Sequence, residues 1–183
     1  MSPTRPKHAG RDRSLEAELK FRLRGSAEQA RLRDRLRRLE ARALGAYDEE
    51  NVRYRPVRKQ AVTLRLRVID GGPEGVITVK GPARYERRIK VRDETELVVS
   101  DAAAMREVLE LLGHKIAVIY HKHRETWQFQ GCHVTLDTLD FGFFSEVEGP
   151  VDVIEGVAAK LGLDGARALK SSYSELARLH ARG

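Results

Sequence analysis

The chain has 183 residues, of which 41% are hydrophobic and 33% charged, so it is long enough for one domain with a modest core. Its lone cysteine, Cys132, excludes an internal disulfide, and no apolar run is long enough for a signal peptide or a membrane span. We therefore expect a cytoplasmic protein without a membrane partner. The formal net charge of +7 favours anionic partners such as nucleotides, polyphosphate or nucleic acid.

Turn residues and hydrophobic periodicity divide the chain into predicted elements. Residues 1–13 combine prolines, a glycine and scattered bases without periodicity, which predicts a disordered basic tail before a single domain over residues 14–183. Strands are predicted at 15–23, 47–54, 61–69, 75–80, 85–99, 116–129, 132–139 and 143–148. Helices are predicted from Ser26 to Gly45, after Asp101, at 153–161 and at 172–180.

Charged side chains alternate with other residues in most of these strands. Residues two apart on a strand share a face, so Glu16, Glu18 and Lys20 lie on one side of the first strand. Arg65 and Arg67 share a face in the same way, with aliphatic residues on the other face. The same two-residue period recurs at Arg92, Glu94 and Glu96, at Lys122 and Arg124, and at Glu146 and Glu148.

On any single strand this alternation is typical of a solvated sheet face. Its recurrence in five segments instead favours an α+β fold in which a closed antiparallel β-barrel has a charged lumen and helices pack outside. A ligand-free network of internal salt bridges is the alternative, although such networks stabilise a fold poorly. Acids and bases together in one lumen suit an anion carried with a divalent metal.

Taken in order, the charged segments resemble the CYTH domain family, the triphosphate tunnel metalloenzymes. Glu16-Ala17-Glu18-Leu19-Lys20 matches the ExExK signature of that family, and the resemblance extends over residues 14–176. The further matching blocks are Leu64-Arg65-Leu66-Arg67, Val79-Lys80-Gly81-Pro82, Arg92-Asp93-Glu94-Thr95-Glu96, Lys122-His123-Arg124-Glu125, Leu136-Asp137 and Gly142-Phe143-Phe144-Ser145-Glu146-Val147-Glu148-Gly149. The resemblance implies an eight-stranded antiparallel tunnel that binds a triphosphate with Mg²⁺ or Mn²⁺.

The resemblance also implies roles for the charged residues. The predicted triphosphate ligands are Lys20, Arg65, Arg67, Lys80, Arg92, Lys122 and Arg124, and of these Lys80 and Lys122 are also predicted to be catalytic. The predicted metal ligands are Glu16, Glu18, Glu94, Glu96, Asp137, Glu146 and Glu148. One position departs from the family, because Arg55 follows Tyr54 where members commonly carry an acid. Asp48 or Glu49 would have to replace that acid, or the chain does without it.

Known activities of the family leave the reaction open. Residues 122–127 and 141–144 look more like cyclase-named bacterial members than thiamine triphosphatase, which favours a class IV adenylyl cyclase that converts ATP to cyclic AMP and pyrophosphate. The alternatives are an inorganic or organic triphosphatase, such as a tripolyphosphatase or thiamine triphosphatase, and a non-catalytic polyphosphate- or RNA-binding module. Nucleic acid is not expected, because Glu28, Asp34 and Glu40 interrupt the arginine-rich helix. The oligomeric state stays open.

Overall fold

The structure is a computed structural model that describes residues 12–57 and 61–181. Within them the strands are β1 (Asp12–Leu23), β2 (Arg42–Arg55), β3 (Thr63–Ile69), β4 (Gly75–Lys80), β5 (Arg84–Glu86), β6 (Ile89–Val99), β7 (Lys115–Phe129), β8 (Cys132–Leu139) and β9 (Gly142–Glu148). The α-helices are α1 (Ser26–Arg38), α2 (Ala102–Leu111), α3 (Val151–Lys160) and α4 (Tyr173–His180), and a 3-10 turn covers Gly165–Arg167. Residues 1–11 of the predicted basic tail lie outside the described residues.

Eight antiparallel strands close into a barrel. Their order around the ring is β1-β9-β8-β7-β2-β3-β4-β6, and β6 pairs with β1 to close the sheet. The short β5 is an extra strand that pairs only with the start of β6. Each barrel strand has one inner and one outer face, so the two-residue alternation becomes a charged lumen and an apolar exterior. The predicted α+β fold, an eight-stranded tunnel with helices outside, is confirmed.

The apolar outer faces of the strands are buried under helices. Leu19, Trp127 and Val134 pack in one core cluster with Leu36 of α1 and Ile154 of α3. A second cluster joins outer-face residues of β2 and β3 to Leu109 of α2. None of the described helices has the length and apolarity needed to cross a bilayer. Because the core lies between the barrel and its helices, the inner face of the barrel remains available for polar groups.

The helix α4 covers one end of the barrel. Its Tyr173 and Ala177 pack against Tyr120, Leu139 and Phe144, which lie on the inner faces of β7, β8 and β9. Ser172 begins the helix with the predicted capping box, in which its hydroxyl accepts from the Glu175 backbone N–H. The lumen therefore ends in an apolar cluster on the α4 side.

The boundary between α1 and β2 differs from the prediction. The helix was predicted to reach Gly45, but it ends at Arg38, and Glu40 turns the chain with a positive φ of 55°. From Arg42 to Arg55 the chain instead forms β2, which pairs with β7 along the whole length of β2. The apolar residues after Leu36 continue a helical spacing, but the hydrogen bonds offered by the distant β7 decide the conformation.

Gly75 on β4 lies where the start of α2 packs closely against the barrel. A Cβ at this position would lie 2.9 Å from Leu66 Cδ1 and 3.0 Å from Ala102 Cβ. We expect Gly75→Ala to lower the free energy of unfolding by about 1–3 kcal/mol, the usual cost of overpacking. Gly156→Ala on α3 is the matched control, since an added Cβ there meets open space and raises helix propensity. Equal urea midpoints for both variants would contradict the close approach.

Candidate active site

The structure brings together the charged residues that the sequence assigned to the lumen. Of the fourteen predicted site residues, thirteen form ion pairs with acids or bases of other strands, and Glu148 faces Glu18 instead. Most of these side chains are buried. The inner faces of β1, β3, β4, β6, β7, β8 and β9 each contribute at least one of them. The ion pairs form two networks of opposite charges in the tunnel walls. One joins Lys20, Arg65, Arg67, Lys122 and Arg124 to Glu49, Glu96, Asp137 and Glu146, and the other joins Lys80, Lys90 and Arg92 to Glu16, Glu18 and Glu94.

Lys80 on β4 joins two acids of the second network. Its Nζ donates to Glu16 Oε1 at 2.5 Å and lies 2.9 Å from Glu94 Oε2. Burial alone would raise the pKa of Glu16, but Lys80 and Arg92 lower it to about 2. Burial and the nearby charge of Glu16 raise the pKa of Glu94 to about 7, and Lys80 offsets this increase only in part. Lys80 therefore holds one firmly ionised carboxylate and one that is easily protonated.

Asp137 on β8 is the most fully engaged acid. Arg124 donates to both of its oxygens, at 2.7 and 2.6 Å, and the Tyr173 hydroxyl donates to Oδ2 at 2.7 Å. Arg124 also donates to Glu146, whose carboxylate lies 3.1 Å from Lys20 Nζ. Burial would raise the pKa of Glu146, yet Lys20 and Arg124 hold it well below its usual range. These contacts fix the orientation of Arg124 across β7, β8 and β9.

Glu49 is a lumen residue that the sequence analysis left open. It is fully buried, and its carboxylate lies 3.2 Å from Lys122 Nζ, 3.6 Å from Arg67 Nη1 and 3.0 Å from Asn51 Nδ2. Burial would raise its pKa, but Lys122 and Arg67 keep it well below its usual range. Asp48, the other candidate, is exposed and contacts His123 at 2.8 Å. Glu49 therefore supplies the acidic charge that β2 contributes to the lumen.

Other inner residues were missed. Lys90 is buried on the inner face of β6 and lies 3.3 Å from Glu18. Arg53 and Tyr120 also lie on inner faces, beside Arg65 and Asn51 respectively. The parity of Glu49, Asn51 and Arg53 was the available signal. Without a matching motif, however, that parity does not distinguish a tunnel wall from a solvated edge.

Arg65 and Arg67 on β3 retain unused donors. Both Nε atoms are buried without a hydrogen-bond partner among the described residues. Their contacts with Glu96 are long, at 3.7 and 3.5 Å. A buried N–H without an acceptor is costly, so it usually marks the place of an absent one. Two adjacent guanidinium groups with spare N–H donors match the oxygens of phosphate.

Glu18 and Glu148 form a carboxylate pair that fits a hard divalent cation. They are directly opposite on β1 and β9, so their side chains share the inner face. Although Glu148 is exposed as a residue, protein crowds its carboxylate, and this burial with Glu16, Glu146 and Glu18 nearby raises its pKa to about 7. No preformed cluster of three metal-ligating side chains occurs in the described ranges. One or two carboxylates suffice for Mg²⁺ when substrate phosphates complete its coordination.

A cleft of about 1040 Å³ lies beside α2, and both outer-face residues of β2 and β7 and the lumen residues Glu49 and Lys122 line it. His121 and His123 line it and point outward, as their parity predicts, contacting Glu50 at 3.5 Å and Asp48 at 2.8 Å. Neither histidine joins the networks of the lumen. The candidate active site is therefore the tunnel itself.

Comparison with known proteins identifies the family. The sequence profile of the CYTH domain matches residues 14–172, most of the chain. The chain belongs to the CYTH family. This confirms the prediction of a CYTH-family enzyme of the adenylyl cyclase or triphosphatase kind, with the reaction type open.

The chain is also similar to three known proteins. A Methanocaldococcus jannaschii protein with the provisional name adenylate cyclase is 25% identical over 145 residues, covering 76% of this chain and 79% of that protein. A Pyrococcus horikoshii structure is 27% identical, with a TM-score of 0.74 and coverage of 92% and 99%. A Hippeastrum protein provisionally named adenylyl cyclase, with a dominant triphosphatase activity, is 17% identical, with a TM-score of 0.66 and coverage of 90% and 96%. The last similarity shows the shared fold alone.

The burial of Glu49 predicts a pH-dependent contribution to stability. We expect Glu49→Gln to lower the free energy of unfolding by about 3–5 kcal/mol at pH 7, because Lys122 and Arg67 lose a buried partner. The pKa of Glu49 is lower in the folded protein than in the unfolded chain. The stabilisation by its charge is therefore complete above the unfolded pKa and is lost as pH falls toward the folded pKa. The difference between wild type and variant should shrink by about 1.4 kcal/mol per pH unit below about pH 4.3.

Urea denaturation between pH 7 and pH 3 measures this difference. Glu107→Gln on the exposed face of α2 is the control and should change stability by less than about 0.5 kcal/mol. A Glu49→Gln effect that stays constant down to pH 3 would show that the charge of Glu49 is not what stabilises the fold.

Proposed function

We propose that this protein is a divalent-metal-dependent enzyme that binds a linear triphosphate inside the tunnel and hydrolyses it. The observation that carries the proposal is the pair of buried, partner-free N–H donors on Arg65 and Arg67. They are on β3, which lies across the ring from β9 and its acids, four strands away in either direction. Phosphate donors on one wall and carboxylates on the other suit a phosphate chain that carries a metal.

The remaining bases would grip the chain from other walls. Lys20, Lys80, Arg92, Lys122 and Arg124 come from β1, β4, β6 and β7. Each now has a carboxylate partner, so a bound phosphate exchanges one charge-assisted contact for another. That exchange leaves acids without partners unless positive charge enters with the ligand. A metal-bound triphosphate meets this condition, whereas a bare anion does not.

Glu18 and Glu148 are the residues that we assign to hold Mg²⁺ or Mn²⁺. When bound, such an ion neutralises phosphate oxygens and lowers the pKa of a coordinated water. Glu16 and Glu146 flank this pair and would join it once their bases turn to phosphate. We assign Asp137 instead to the orientation of Arg124, since both of its oxygens already accept hydrogen bonds.

Lys80 and Lys122 would act on the phosphates directly. Both ammonium groups lie in the lumen among acids, on β4 and β7. An ammonium group that donates to bridging or terminal oxygens stabilises the negative charge that develops on the leaving phosphate. The attacking water gives one proton to solvent as the P–O bond breaks, leaving two phosphate products.

The inner end of the lumen favours hydrolysis over cyclisation. Its aromatic rings pack on one another, with Tyr173 centred 5.3 Å from Phe144 and 6.4 Å from Tyr120, and Lys20 lies over the Tyr173 ring at 4.2 Å. Because these rings contact one another and a lysine, we expect this end to leave little room for a nucleobase. Cyclisation of ATP is the second candidate, favoured by the name of the Methanocaldococcus protein.

Identification of the products tests the proposal. The protein is incubated with tripolyphosphate or ATP, with Mg²⁺ or Mn²⁺ and with EDTA as control. We expect orthophosphate, released only with metal. Cyclic AMP and pyrophosphate from ATP would establish the cyclase instead. No turnover of either substrate would contradict both reactions and favour a binding module.

Glu18→Gln tests the metal assignment. It removes a charge with little change in volume, so we expect turnover to fall by about a hundredfold or more, with partial recovery at high metal concentration. Glu155→Gln, on the exposed face of α3, is the control and should retain activity. Wild-type activity of Glu18→Gln at low metal concentration would exclude Glu18 as a ligand.

A further inference from the structure

Two histidines of β7 lie on the outer face of the barrel and take no part in the tunnel. His121 and His123 are two residues apart on one strand, so they lie about 7 Å apart on the same face. Their direct partners across the pairing of β2 with β7 are Glu50 and Asp48, respectively. Such partners have Cβ atoms about 5 Å apart. Two imidazoles and two carboxylates therefore share one small area of this face.

His123 is oriented as a metal-bound histidine is. Its Nδ1 lies 2.8 Å from Asp48 Oδ1. A carboxylate oxygen can only accept, so Nδ1 carries the proton of this contact, and Nε2 of the neutral ring keeps its lone pair. In many metal sites the ligating histidine donates its other N–H to a carboxylate in this way, which fixes the tautomer and the orientation of the ring. No other polar contact of this ring occurs among the described residues, so Nε2 is available to a metal ion.

His121 and Glu50 supply further ligating groups beside His123. The side chain of His121 is 66% exposed, and its Nε2 lies 3.5 Å from Glu50 Oε2, a contact long enough for both groups to turn toward an ion. The other oxygen of Glu50 accepts from Arg106 Nη2 at 2.5 Å, which keeps the carboxylate at this place. Neither here nor elsewhere in the described ranges are three ligands preformed. An ion would therefore draw His121 and Glu50 toward Nε2 of His123.

The cleft that these four residues line has an excess of negative charge. Apart from the lumen pair Glu49 and Lys122 and the histidines, its charged lining residues in the described part of the chain are Asp48, Glu50, Asp101, Glu107, Glu110, Asp140 and one base, Arg106. Such an excess attracts cations even though the net charge of the chain is +7. Imidazole is a good ligand for Zn²⁺ and similar transition metals, whereas Mg²⁺ prefers oxygen ligands.

We infer that His121, His123 and Glu50 form a binding site for a transition-metal ion of the Zn²⁺ type on the outer face of the barrel, where Asp48 orients His123. A water molecule completes the four ligands that Zn²⁺ usually takes. The site is separate from the carboxylates of the tunnel, and it does not depend on the proposed reaction.

The ion would stabilise the pairing of β2 with β7. Glu49 precedes Glu50 in the chain, and Lys122 lies between the two histidines, so the same strands carry the buried Glu49–Lys122 ion pair of the lumen. An ion that binds only the folded protein raises its stability. This wall of the tunnel would thus be reinforced from outside.

Calorimetric titration of the untagged protein with Zn²⁺, in excess Mg²⁺, tests the site. We expect wild type to bind one Zn²⁺ more than the double variant His121→Gln/His123→Gln, since Zn²⁺ held by tunnel carboxylates would remain in both. Asp48→Ala should weaken this extra site by about ten- to a hundredfold, the usual effect of losing the carboxylate behind a ligating histidine. Asp48→Asn keeps an acceptor and should lose less. His180→Gln, which removes an exposed histidine of α4, is the matched control and should bind as wild type does.

A second measurement follows the stability of the same proteins. Zn²⁺ should raise the urea midpoint of wild type and of His180→Gln more than that of the double variant. Equal Zn²⁺ stoichiometry in wild type and the double variant would overturn the inference, as would the absence of Zn²⁺ binding to wild type. Unchanged affinity in Asp48→Ala would overturn the orienting role of Asp48, on which the site depends.

Discussion

The structure depends on keeping charged side chains on the inside of a closed sheet. Buried ion pairs recover little more than the cost of removing their charges from water, so the lumen is a poor source of stability. The apolar outer faces under α1, α2 and α3 supply the core instead. Because the outer face of each strand packs in the core, the inner face can carry a balanced set of charges without a second apolar layer.

Charge balance also decides which ligands suit the tunnel. Ion pairs such as that of Lys80 with Glu16 give each buried base a carboxylate partner. A ligand phosphate must therefore displace that carboxylate before it can contact the base. A bare anion would leave the displaced acids facing one another, as Glu18 and Glu148 already do across β1 and β9. An anion with a divalent cation satisfies both sets of groups, which is the physical basis for the proposed metal dependence.

The parts of this protein that local periodicity specifies could be predicted from sequence. Arg65 and Arg67 belong to an unbroken alternation of charged and aliphatic residues, which predicts that they share one face of the strand. The repetition of such charged faces in other strands predicts a closed lumen. Glu49 and Lys90 were harder, because a single charge on a strand shows its parity but not whether that face is inside. The start of β2 depended on pairing with β7, which lies far away in the chain. The meeting of Glu18 with Glu148 is a matter of register, which no local pattern encodes.

The two ends of the lumen differ in a way that gives the tunnel a direction. On β9 the inner residues run from Phe144, packed under α4, through Glu146 to the exposed Glu148. Under the proposed function, a phosphate chain that enters from the Glu148 side would meet acids first, then the arginines of β3, and would stop at the aromatic cluster. Binding by the end would place the same bond against the same wall whatever the length of the remaining chain. In this arrangement the closed end, rather than a pocket for the rest of the ligand, would determine which bond reacts.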